Sequence, residues 1–136
     1  MKTIRVLGII FSSIFLMSCD PNHEIIFENT GKKDVKVKLI IDKKIRNDDL
    51  NDISLSDSIV FKLKPFGTKE NTSNIDFGMG VWDETGVSEL SKSIKSIEID
   101  NIDKKVIYKS ESSIKDVLTK NQTGFYWKTV IKIETE

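Results

Sequence analysis

Residues 35–41 read Val-Lys-Val-Lys-Leu-Ile-Ile. In an extended chain Val35, Val37, Leu39 and Ile41 fall on one side, and Lys36 and Lys38 on the other, because successive side chains of a strand point to opposite faces. That period predicts a strand with one buried face and one solvated face. The same reading extends in both directions from it.

Upstream, residues 24–29 carry the apolar residues Ile25, Ile26 and Phe27, read as a first strand, and end in the turn residues Asn29-Thr30-Gly31-Lys32. Downstream, a polar loop spans residues 42–57. Ile59, Phe61 and Leu63 then mark the inner face of a strand over residues 58–64, which Pro65-Phe66-Gly67 stops. Over residues 75–83, Ile75, Phe77, Met79 and Val81 share one face, and Asp76, Gly78, Gly80 and Trp82 the other. Two glycines on one face mark a bulge or a close approach, and the Trp82 ring has the size to lie across them. Val87, Leu90, Ile94 and Ile97 step by 3, 4 and 3, which suggests a short helix. Ile97 and Ile99 alternate as in a strand, and with residues 105–109 they form a hairpin. Ser113-Ile114-Lys115-Asp116 resembles a helix-capping start, and Ile114, Val117 and Leu118 follow at helical spacing. The last strand covers residues 125–134, with Phe125, Trp127, Thr129, Ile131 and Ile133 facing inward.

About seven short strands separated by turn signals predict an all-β fold, or a β-rich α+β one: a two-sheet antiparallel β-sandwich with one or two short helices. A single antiparallel sheet with a helix across one face is the alternative. Strands do not alternate regularly with long helices, which argues against a doubly wound parallel sheet.

Chemistry-bearing residues are few. His23 is the one histidine and Cys19 the one cysteine, too few for a Ser-His-Asp or Cys-His arrangement or for a zinc site. Ser112-Ser113-Ile114-Lys115 matches S-x-x-K, but the companion K-T-G and S-D-N patterns are missing: Lys128-Thr129-Val130 and Ser56-Asp57-Ser58 fail them. The helix-start reading takes precedence. Asp48, Asp49, Asn51, Asp52 and Asp57 make an acidic loop whose spacing breaks the calcium-loop pattern. Asp76, Asp83 and Glu84 are the acids available for a carboxylate pair. No cofactor is implied. Trp82 and Tyr126 fall opposite the main apolar stripe, as a platform for a sugar ring or a protein partner, or as a second hydrophobic layer.

The N-terminus carries its own signal. A basic stub, Lys2 and Arg5, stands at the start of an apolar run that reaches from Ile4 to Leu16 and ends in Leu16-Met17-Ser18-Cys19-Asp20-Pro21. A charged stub, an apolar stretch and small residues before a cut define a secretory signal. The run is short of the ~20 residues a spanning helix needs, and Pro21 would end a helix. Leu16 at −3, Ser18 at −1 and Cys19 at the cut resemble the lipobox of bacterial lipoproteins; Met17 is an unusual −2 residue. The resemblance covers about the first 20 residues. It implies that residues 1–18 are a signal peptide, that Cys19 receives a diacylglyceryl group, and that acyl chains tether the chain to a membrane.

In that reading residues 19–23 are a lipidated tether and residues 24–136 the folded domain. Asp20 resembles the inner-membrane retention residue of enterobacteria, whereas in other bacteria acidic residues after the cysteine accompany surface export, so either membrane of the envelope stays open. With no second cysteine, the domain is held by its core and not by disulfides.

Removing residues 1–18 takes away two of the 21 bases and none of the 21 acids, leaving 118 residues with a formal charge of −2. That is a common single-domain size. The balance, with an exported location, argues against a nucleic-acid surface. The general pattern is similar to the small β-sandwich lipoproteins of Bacteroidetes-type bacteria. These features together point to a lipid-anchored, non-enzymatic binding or interaction module with an envelope protein or glycan as partner. The alternatives are an inhibitor or immunity protein of an exported enzyme, or a small carboxylate-dependent hydrolase.

Overall fold

A strand that must bury one face needs a second apolar surface opposite it, and this chain supplies that surface with a second sheet. The computed structural model describes residues 21–45, 47–54 and 56–134. Its strands are β1 (Asn22–Asn29), β2 (Val35–Ile41), β3 (Ser58–Leu63), β4 (Thr72–Met79), β5 (Ile94–Asn101), β6 (Lys105–Tyr108), β7 (Gln122–Thr123) and β8 (Lys128–Ile133). The helices are α1 (Asp48–Ile53), α2 (Glu84–Ser93) and α3 (Glu111–Lys120). One sheet has the order β4-β1-β8-β7 and the other β3-β2-β5-β6, so the molecule is a two-sheet sandwich. Every pairing is antiparallel except the central one of the first sheet, where β1 and β8 run parallel with Ile25 beside Thr129 and Phe27 beside Ile131.

The inward faces follow the alternation. Val35, Val37, Leu39 and Ile41 are buried in β2, Ile25 and Phe27 in β1, and Ile131 and Ile133 in β8. The Phe27 ring meets Phe61 of the other sheet at 5.8 Å between centroids. Each such large side chain removed from water contributes about 1.5–3 kcal/mol. Outside, Lys36 pairs across with Lys62 on one flank and Asp100 on the other. In the β5–β6 hairpin Lys105 bridges Glu98 at 3.0 Å. That hydrogen bond holds the Glu98 carboxyl below the usual carboxylate range and raises Lys105.

The helices α2 and α3 pack against each other, and both reach β5, while α3 also touches β8. Val87, Leu90, Ile114 and Leu118 join the single core. Where β1 passes into the other sheet, Asn29 is fully buried. Its amide donates to the Lys33 carbonyl at 2.7 Å and the Lys64 carbonyl at 2.9 Å, and its Oδ1 accepts from Gly31 N at 2.9 Å. The buried Asn29 side chain would otherwise lack partners for its own polar atoms, a cost of about 1–3 kcal/mol.

Several boundaries differ from the sequence expectation. The first strand starts at Asn22, so His23 lies within a sheet and not in a tether. The 42–57 loop contains α1, capped by the Asn47 side chain and pinned by the fully buried Leu50. The helix at Val87 runs straight into β5, with Ile94 as its cap. The next helix starts three residues before the expected point: Ser110 Oγ accepts from Ser113 N at 3.1 Å, and Ser113 Oγ donates back to the Ser110 carbonyl at 2.9 Å. The S-x-x-K residues therefore belong to this first turn. Cys19, Asp20 and the signal-like segment lie outside the described residues, as do the side chains of Asp48, Asp49 and Asn51. Among the described residues, no helix is long and apolar enough to cross a membrane.

Candidate functional site

Four strand termini meet at one end of the first sheet. Asn22 of β1 sits opposite Met79 of β4, Glu24 of β1 beside Lys128 of β8, and Thr123 of β7 opposite Lys128. Two turns leave this end, and they carry the candidate residues.

The first turn follows β4. Gly78 and Gly80 adopt φ of +81° and +154°, conformations that L side chains rarely take. They break the alternation, so the strand ends at Met79 rather than running on to Asp83. Met79 and Val81, expected inside, are 74% and 53% exposed, whereas Trp82 turns in and is only 6% exposed. The Trp82 ring packs against His23, tilted by 56° with centroids 3.6 Å apart, and meets Phe77 edge-on at 5.1 Å. Its Nε1 donates to the Glu24 carbonyl at 3.4 Å. His23, and not Trp82, lies over Gly80, where a Cβ would stand 3.6 Å from the imidazole, and Gly78 faces open space. Of the two readings of Trp82, an exposed platform or a packed hydrophobic layer, the buried ring fits the second, because two glycines shift the chain out of strand register.

The second turn joins β7 to β8. Tyr126 N donates to the Thr123 carbonyl at 3.1 Å. Gly124, Phe125 and Tyr126 all have positive φ, at 61°, 58° and 69°. The left-handed region costs an L-residue roughly 1–2 kcal/mol, and bulky aromatics seldom occupy it. A Cβ at Gly124 would lie 2.9 Å from the Trp127 indole, so any larger residue there would have to displace that ring. The strand expected from Phe125 begins at Lys128 instead. Phe125, expected inside, is 86% exposed, and Tyr126 is 62% exposed.

The two turns are tied together, since Trp82 N donates to the Tyr126 carbonyl at 2.6 Å. Between them and the helices opens a groove of about 620 Å³, lined by Trp82 and Val87, by Tyr126, Gln122, Thr119 and Lys115, and by the two acids Asp83 and Glu84. That volume lies in the ordinary range of ligand sites, ~300–1,000 Å³. Trp82 and Tyr126, singled out from sequence, do line one concavity, Trp82 from beneath and Tyr126 at the rim.

The acids at this end have structural work. Asp83 caps α2, its Oδ1 accepting from Gly86 N at 2.6 Å. Glu84 faces Lys115 at 3.7 Å. Asp76 accepts from Gly78 N at 2.8 Å and from the Asn22 amide at 3.2 Å. Among the described residues no three His, Cys, Asp or Glu side chains gather as a metal-binding group. A second hollow, of about 540 Å³, lies at the far end of the other sheet between Lys36, Lys62, Lys64, Asp34 and Asp100. Lys64 pairs with Asp34 at 2.9 Å, which raises the lysine above its usual value, and the hollow reads as a solvated charged face.

Sequence periodicity missed Met79, Val81 and Phe125 as surface residues. The signals that mark them are the Gly78/Gly80 pair and Asn121-Gln122-Thr123-Gly124, which place turns where the apolar pattern alone suggests continued strands. Compared with protein-family models, characterised proteins and solved structures, the chain matches none.

Proposed function

We propose that this chain is a lipoprotein of a bacterial cell envelope, held by acyl chains on Cys19, and that its sandwich is a non-enzymatic binding module. The anchor rests on Leu16-Met17-Ser18-Cys19 after an apolar run. Two or more acyl chains suffice for stable attachment, at ~0.8 kcal/mol per buried CH₂.

The binding role rests on one observation, the groove between α2, α3 and the β7–β8 turn. Its makeup suits an envelope glycan: the Tyr126 ring is free to stack on a sugar face, and Gln122, Thr119 and Lys115 supply hydrogen-bonding groups. Apolar walls with a few convergent polar groups are the usual composition of a ligand site. The hydrolase alternative needs two acids facing each other across a cleft; Asp83 is committed as a helix cap and Glu84 faces Lys115. The inhibitor alternative favours a protruding loop, and the 42–57 segment is pinned by Leu50.

The test is a titration of the full-length protein in detergent with soluble cell-wall glycan fragments, followed by tyrosine and tryptophan fluorescence. Saturable binding that Tyr126→Ala weakens at least tenfold, with an unchanged thermal melt, supports the assignment. Binding unaltered by Tyr126→Ala, or none, refutes it.

A further inference from the structure

We propose that the end of the first sheet bearing Met79, Val81 and Phe125 rests directly on the lipid bilayer, so that the domain sits on the membrane and does not swing from a tether. The placement rests on the lipid-anchor reading above and goes beyond it.

Four observations converge. Met79, Val81 and Phe125 are the exposed apolar side chains at this end, and strand register puts the termini of all four strands of the sheet there. The chain enters the fold at the same end: the Pro21 carbonyl accepts from Gly80 N at 3.0 Å, between Met79 and Val81 in sequence. Cys19 precedes Pro21 by two residues, so its Cα lies within about 7 Å of Pro21 however the chain runs. A lipid on that sulfur brings the bilayer surface to this rim. The folded part begins at Asn22, so Cys19 stands only three residues ahead of the first strand.

Third, Phe125 and Tyr126 project from left-handed backbone, where glycine or asparagine would be the undemanding choice. Local strain persists where it serves a purpose. Fourth, the described charges flanking this end are Glu24, Asp76, Asp83 and Glu84, with Lys128 paired to Glu24 at 3.4 Å and Lys115 to Glu84 at 3.7 Å, so neither lysine is left over for a lipid phosphate. The rim therefore offers no cationic patch to anionic lipid. Its contact is apolar, as for side chains that enter the acyl boundary, and is insensitive to salt. At the opposite end Ile102 is also exposed, but it stands beside the charged hollow of Lys36, Lys62 and Asp100, which makes it the internal control.

The experiment uses the full chain, processed in a bacterial host and reconstituted into phosphatidylcholine vesicles. Met79→Cys and Ile102→Cys carry an environment-sensitive thiol dye, and a fraction of the lipid is brominated. The expected result is a blue-shifted dye at Met79→Cys, quenched several-fold more strongly by brominated lipid than the dye at Ile102→Cys, and unchanged by added salt. Adding Phe125→Ser should reduce that quenching while the protein still sediments with the vesicles. Equal quenching at the two positions in vesicle-bound protein overturns the docking and leaves the anchor standing. A blue shift at Met79→Cys without lipid quenching also overturns it, assigning the rim to a protein surface such as a second copy. Dye uptake by the unsubstituted chain, with no sedimentation, shows a free Cys19 thiol and overturns the anchor together with the placement built on it.

Discussion

Trp82 holds the first sheet's end to the core by filling the space between His23, Phe77 and the backbone of β1. Trp82→Ala removes a buried aromatic and leaves a void that rigid neighbours cannot close, so stability should fall by about 3–5 kcal/mol; chemical denaturation of the detergent-solubilised protein measures it, and a loss below 1 kcal/mol would place the ring at the surface. Phe125 predicts the opposite sign. Its side chain is almost entirely in solvent while its backbone is left-handed. Phe125→Asn relieves part of the roughly 1–2 kcal/mol left-handed cost and gives up almost no burial, so the midpoint of denaturation should rise. Neither residue was legible from its neighbours' hydrophobicity. Trp82 and Phe125 each sit one or two residues beyond a positive-φ glycine, and a single irregular residue flips every side chain after it to the other face.

Elements with one wet face were the readable ones. β2, β3 and the β5–β6 hairpin appear where alternation put them, because a solvated Lys36 or Lys38 contrasts with a buried Val37 or Leu39. Val37→Asp places an unpaired charge at a fully buried site and should abolish the cooperative melt, since such a charge costs several kcal/mol. Lys38→Asp, one residue on and on the other face, should leave the melt within about 1 kcal/mol of the parent. The pair tests register directly: equal effects would mean that the strand is not half-buried. The helices were less readable. α1 has six residues and one buried anchor, Leu50, too little for a period to emerge. α2 passes into β5 without a loop, so the spacing from Val87 to Ile97 mixes two periods. In α3 the helical spacing was visible, but three serines in a row of four blurred which one caps it.

For the whole molecule, the feature no local pattern could reveal is the parallel pairing of β1 with β8. It joins the two ends of the described chain at the centre of a sheet, across about a hundred residues of intervening sequence, and nothing in either strand names its partner. It also decides how the N-terminal residues behave. A tether would leave the amides of residues 22–28 open to water, whereas a central strand bonded on both sides to β4 and β8 opens only when the sheet does. Native-state hydrogen exchange on the full-length protein should therefore find Ile25 and Phe27 protected as long as Val37 and Leu39 in the middle of the other sheet. Closure of β1 needs β8, so folding waits for contacts far apart in sequence and should be slow for a chain of this size. Amides of Ile25 and Phe27 exchanging orders of magnitude faster than those of Val37 and Leu39 would mean that β1 frays as an appendage. The rim at Met79 and Phe125 would then have no rigid sheet behind it to press against a membrane.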